Sequence, residues 1–167
     1  VKSILRFIEI QNGVERSDRI LGRLQIQREQ LRHPDDFISP NLGLDLMNQL
    51  THEGLSEDQF RVMGTYTVAV AKNTAIGRAL SSHADPKQLY QAVFEQYSSS
   101  FDRVWQYRLL KLHSRGFTME VKLSELSSDL FQATAMGGRH VCLFLQGVFS
   151  SMLGNIRPQF AKVFESE

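Results

Sequence analysis

Cysteine is nearly absent from this chain: Cys142 is the single one among 167 residues. An intrachain disulfide is therefore excluded, as is a structural zinc site of the cysteine type. A reducing cytoplasm is the compartment that suits such a composition. An excess of either charge is also missing, since 19 basic against 18 acidic side chains leave a formal net charge of +1. A general nucleic-acid surface needs a basic surplus to displace counterions, so direct nucleic-acid binding is not expected. No run approaches the roughly 20 apolar residues of a membrane-spanning helix, and no membrane association is expected. Residues Val1–Gln11 alternate charged with apolar side chains and lack the small-residue cleavage site of a signal peptide. Internal repeats and low-complexity tracts are absent too.

What is present is an ordinary globular composition, with 42% hydrophobic and 22% charged residues. A chain of this length buries roughly 70% of its unfolded surface, enough for a core without staples. The expectation is one sensory or regulatory domain over residues 1–167, a piece of a longer protein, since the sequence opens on Val rather than Met.

The first half reads as helices. Ile4, Leu5, Phe7 and Ile8 form one stripe over Lys2–Gln11, and Asn12-Gly13 stops it. A second helix is predicted over Glu15–Leu24, with a short helix or turn in Gln25–His33. Ser39-Pro40 supplies a capping hydroxyl and a first-turn proline for a helix that runs to about His52 and ends before Gly54. Ser56-Glu57-Asp58-Gln59 is a capping box, opening a helix to about Lys72. A short helical turn over Ala75–Leu80 precedes Asp85-Pro86, which starts a helix carrying Leu89, Tyr90, Val93, Phe94 and Tyr97.

Then the hydrophobic period changes from 3.6 to 2. Trp105, Tyr107 and Leu109 share a face within Val104–His113, and Phe117, Met119, Val121 and Leu123 alternate with polar residues. Ser114-Arg115-Gly116 is the turn between them. Ser124–Ala135 is polar and irregular. Gly138–Leu153 reads as an apolar helix, and Gln159–Phe164 as a further strand. The fold class is thus α+β: N-terminal helices followed by a small antiparallel sheet with an apolar helix packed on it.

Each chemical motif has a plain structural reading beside it. Cys142 has Arg139 and His140 nearby, as a nucleophile would want, but its apolar neighbours make it a small buried hydrophobe. The histidines (His33, His52, His83, His113 and His140) form no i,i+3 or i,i+4 pair, so no metal site is expected. Gly137-Gly138 before a helix could offer amides to an anion with help from Arg139, or be a tight loop entry. Arg103, Arg108, Lys111 and Arg115 interleave with Trp105 and Tyr107, a pattern that stacks single strands when the aromatics are exposed. Here the aromatics are needed to bury one sheet face. No catalytic constellation emerges, and the chain is not expected to be an enzyme.

Aromatic residues do converge. Phe94, Tyr97, Trp105, Tyr107, Phe144 and Phe149 come from three elements that pack together by this reading. They make either plain core or the wall of a small-molecule cavity edged by Arg103 or Arg139. On the cavity reading, the candidate ligand-binding residues are Phe94, Tyr97, Arg103, Trp105, Tyr107, Cys142, Phe144 and Phe149.

The segment Cys142-Leu143-Phe144-Leu145-Gln146-Gly147-Val148-Phe149, a Cys-x-Phe-x-x-Gly type of helix after a hairpin, resembles the sensory domains of the haem–nitric-oxide-binding and 4-vinyl-reductase-type superfamily. Leu31-Arg32-His33-Pro34-Asp35-Asp36-Phe37-Ile38-Ser39 is similar to a segment in the arabinose-binding-type N-terminal domain of AraC-family regulators. These resemblances imply a ligand-sensing regulatory input domain that binds a small, partly apolar molecule. It would signal to a homodimer partner or to an output domain outside this sequence. Haem-binding members carry an axial histidine in the helix before the hairpin. Pro86–Tyr97 has none, and Leu112-His113-Ser114-Arg115 does not reproduce their Tyr-x-Ser-x-Arg motif, so no cofactor is expected. The alternative reading is a ligand-free protein-interaction or dimerisation module using a strand edge or a helix stripe.

Overall fold

A computed structural model describes residues 2–31, 40–72, 74–83, 85–97, 105–113, 116–123 and 138–156. The predicted strand at Gln159–Phe164, the irregular stretch Ser124–Ala135 and most of the Leu31–Ser39 segment lie outside the described residues, as does Arg103. The chain is α+β, mostly helical with one two-stranded antiparallel sheet after the N-terminal helices.

Helices α1 (Lys2–Asn12) and α2 (Val14–Arg23) pack on each other and are followed by a 3-10 turn, Arg28–Leu31. The α1 stripe is buried as its spacing requires, with Ile4, Leu5, Phe7 and Ile8 inside. Helix α3 (Pro40–His52) ends in a Schellman arrangement, in which Leu55 N–H reaches the Leu50 carbonyl at 3.1 Å and Gly54 N–H the Thr51 carbonyl at 2.9 Å. Gly54 takes the positive φ of 80° that this stop demands. Helix α4 (Glu57–Ala71) opens on the complete Ser56–Gln59 capping box. Helix α5 spans Ala75–Ser81, capped by Thr74, and α6 spans Pro86–Ala92, where the Asp85 carboxylate accepts from Lys87 and Gln88 N–H. Past Ala92 the chain continues as one π-helical turn, Val93–Tyr97.

Strands β1 (Trp105–His113) and β2 (Gly116–Leu123) pair antiparallel, with Tyr107 opposite Val121 and Leu109 opposite Met119. The register slips by one residue between Leu109 and Lys111, a β-bulge. Its effect is visible in burial. Leu110 and Lys111 both face out, and Leu112 rather than Lys111 turns back inward. The outer face pairs Arg108 with Glu120 at 3.0 Å.

The last described element, α7 (Arg139–Ile156), continues past Leu153 and through Gly154. Its packing against α4 is the most extensive between any two elements. The helices run in the same direction along the contact, since Glu57 meets Arg139, Arg61 meets Gln146, and Thr65 meets the Gly147 carbonyl. At the crossing there is no room for side chains. A Cβ on Gly64 would fall 2.1 Å from the Phe144 carbonyl oxygen, and one on Gly147 would fall 2.0 Å from that of Arg61.

The crossing separates two apolar clusters. One gathers α1, α2, α3, Phe60 and Met63 of α4, and Leu143 of α7. The other gathers Val68 of α4, Leu80, the α6 residues with their π turn, the inner face of the hairpin, and Phe149 and Met152 of α7. Helices α4 and α7 contribute to both.

Candidate functional site

The place where hairpin, α6 and α7 meet is the site that the aromatic pattern singles out. Tyr90 and Phe94 come from successive turns of α6 and its π extension. Phe149 comes from α7, Tyr107 from β1 and Phe117 from β2. Their rings touch one another. Tyr90 and Phe117 centroids are 4.5 Å apart, Phe94 and Phe149 5.3 Å, Tyr107 and Phe149 5.3 Å, and Phe94 and Phe117 5.4 Å. These are the separations of tilted and edge-to-face aromatic pairs in a packed interior. Phe149 is only 2% exposed, Tyr90 3% and Phe94 4%. The Tyr90 hydroxyl donates to the Phe149 carbonyl oxygen at 2.8 Å, so this buried polar tip is satisfied. Burial holds the Tyr90 phenol well above its ordinary pKa.

Of the candidate ligand-binding residues, Phe94, Tyr107 and Phe149 are brought together, with the half-buried Trp105 packed on their edge. Tyr97 closes the π turn. Phe144 is not there. It packs on the N-terminal cluster, at the other end of the α4–α7 crossing. Cys142 is not there either, and it is exposed rather than buried. Five residues of helix rotate a side chain by roughly 140° beyond a full turn, so Phe144 and Phe149 cannot share a face. Cys142 lies on the same outward stripe as Gln146, four residues on, which is exposed too. Tyr90 and Phe117 were not among the candidates. Tyr90 stands four residues before Phe94 on the same stripe, and Phe117 alternates with Met119, so each carried the signal of an inward residue.

Other motifs resolve into structural roles. His140 stacks on the fully buried Phe60, centroids 4.9 Å apart and planes 12° from parallel. Arg139 is held by the Glu57 carboxylate through Nε at 2.6 Å and Nη2 at 2.9 Å. Arg108 and Lys111 project from the outer side of the hairpin, whereas Trp105 and Tyr107 face the helices. The pleat therefore separates the basic residues from the aromatic ones. Among the described residues no group of three His, Cys, Asp or Glu side chains could hold a metal ion. No described helix is long and apolar enough to cross a membrane.

Two hollows open elsewhere. One of about 250 Å³ lies along α6 and the π turn and is lined by polar groups, Gln88, Gln91, Glu95 and Gln96 with His83. The other, of about 370 Å³, lies between α1, α2 and the 3-10 turn. Compared with known proteins, the chain matches no family model, no curated protein and no solved structure.

Proposed function

We propose that the chain is a non-catalytic interaction module of a regulatory protein, working as a homodimer in a reducing cytoplasm, rather than a sensor with a ligand among its aromatics. The observation that carries this reading is the ring-on-ring packing of Tyr90, Phe94, Tyr107, Phe117 and Phe149. A guest there would have to displace core side chains from contacts they already make with each other. The surface offers more. Leu110 is 53% exposed on the outer side of the hairpin, beside the Arg108–Glu120 pair. A two-fold interface needs a patch that complements itself, and an apolar centre flanked by both signs of charge meets that need when the charges exchange partners across the axis. An exposed thiol at Cys142 is compatible with the reducing compartment.

Native mass spectrometry of the chain purified from cells tests the proposal. A dimer without added mass is expected, and Leu110→Lys should weaken it at least tenfold. A monomer at micromolar concentration would sink the proposal. So would a retained organic molecule that Trp105→Ala releases, which would return the aromatic junction to the role of a binding pocket.

A further inference from the structure

The outer hairpin face carries three rungs of side chains. Gln106 stands opposite Lys122, Arg108 opposite Glu120, and Lys111 opposite Thr118. Leu110 is the extra residue of the bulge and has no partner across the ladder. The bulge also keeps Lys111 on the outer face beside Leu110, where strict alternation would turn it inward. The described residues of this face therefore set three cations, Arg108, Lys111 and Lys122, against the carboxylate of Glu120. That carboxylate is shared, with Arg108 Nη2 at 3.0 Å and Lys122 Nζ at 3.2 Å. Lys111 is exposed, and no carboxylate among the described residues pairs with it. The cations are open to solvent, since 68% of the Arg108 side chain and 63% of the Lys122 side chain are accessible. In a two-fold dimer Arg108 and Glu120 exchange partners, and Lys111 and Lys122 of both copies are left unmatched. A partner that brings carboxylates complements this face better than a second copy does.

We propose that the outer hairpin face docks an acidic peptide segment with an apolar side chain at its centre. The apolar side chain lies against Leu110, and the flanking carboxylates reach Lys111, Lys122 and Arg108. The face lacks what other polyanions and surfaces require. Trp105, Tyr107 and Phe117 pack toward the helices, so these rings are not offered to the bases of a single strand. A bilayer is held by a whole apolar helix face, and here the apolar anchor is one leucine that is 53% exposed. The acidic segment occupies the surface assigned to the dimer and so displaces the second copy; that competition alone rests on the dimer reading.

Fluorescence anisotropy of the labelled peptide Asp-Glu-Glu-Leu-Glu-Glu-Asp, titrated with the full chain at low and at high salt, tests the site. Saturable binding is expected, weakening as salt rises because exposed charges are screened. An exposed ion pair is worth up to about fivefold in affinity, so Lys111→Gln combined with Lys122→Gln should weaken the peptide about tenfold. The same double variant should keep its melting temperature and its dimer, since the Arg108–Glu120 pair remains. Serine in place of the peptide's leucine, or Leu110→Ser in the chain, should each weaken binding roughly threefold. Absence of saturable binding at low salt overturns the proposal, as does equal affinity in the double lysine variant. Tighter binding of a single-stranded oligonucleotide, or of vesicles rich in anionic lipid, overturns it too. A chain that is monomeric and still binds the peptide supports the docking proposal and sinks the dimer alone.

Discussion

Replacing Gly147 by alanine should destabilise the protein although alanine is the better helix former. In a helix interior Gly→Ala is worth about 1 kcal/mol in favour of alanine. Against this, the new Cβ would stand 2.0 Å from the Arg61 carbonyl oxygen, 2.8 Å from its carbonyl carbon and 3.0 Å from its Cα. Those are backbone atoms, which cannot rotate away. Restoring an ordinary carbon–oxygen contact of roughly 3.3–3.6 Å requires the helices to part by more than 1 Å or to shift along each other. A gap of 0.5–1 Å already forfeits about a quarter to a half of each dispersion contact. The contacts at stake include the Phe60–His140 stack and the packing of Leu143 and Phe144 on the first cluster. Overpacking of this kind costs about 1–3 kcal/mol and sometimes more, and a backbone clash belongs at the upper end. The expected net loss is about 2 kcal/mol, or roughly 4–8 °C in melting temperature for a domain of this size. Urea and thermal unfolding followed by circular dichroism measure it. Gly43→Ala in α3 is the control, since a Cβ there meets nothing within 4 Å. It should be neutral or stabilising. If Gly147→Ala behaves like Gly43→Ala, the two helices are not in backbone contact and the account of the core is wrong.

Tyr90→Phe removes the buried hydroxyl bonded to the Phe149 carbonyl and should cost about 1 kcal/mol, read by the same unfolding curves. Because desolvation raises the Tyr90 pKa, ultraviolet titration of the native protein should leave at least one of its 4 tyrosines silent through the ordinary phenol range, recovered on unfolding. Glu9 is held below its ordinary pKa of 4.5, chiefly by the hydrogen bond from Arg28 and further by Arg6. A carboxylate with a depressed folded pKa stabilises above its unfolded value and loses that contribution as pH falls through the folded one. The stability advantage of the native chain over Glu9→Gln should therefore shrink below about pH 4.5, and an advantage independent of pH would refute the pairing.

Local punctuation was legible in the sequence. The Ser56–Gln59 box, the Asp85-Pro86 start and the Gly54 stop each rest on a hydrogen bond made within a few residues, and each forms as its chemistry requires. The strand alternation in Phe117–Val121 was equally local. Features set by a distant element were not legible. Nothing beside Gly64 or Gly147 announces that the two face each other, because a glycine in an apolar helix looks the same whether it meets solvent or a neighbouring backbone. The bulge that turns Leu112 rather than Lys111 inward depends on the register with β2. The π turn at Val93–Tyr97 adds a residue to a stripe that reads as plain helix.

The error over Cys142 and Phe144 has the same origin and bears on function. Apolar neighbours in a helical sequence point in different directions, so the string Cys142–Phe149 does not describe one surface. It divides into an outward stripe (Cys142, Gln146), a contribution to the first cluster (Leu143, Phe144) and a contribution to the second (Leu145, Val148, Phe149). A pocket needs residues that converge on one space. Here the convergence splits at the Gly64–Gly147 crossing, where backbone meets backbone and no side-chain rotamer can change to admit a guest. The centre of the molecule is consequently its least adjustable part. The outer hairpin face around the exposed Leu110 lies at its edge, and binding there would leave the core contacts in place.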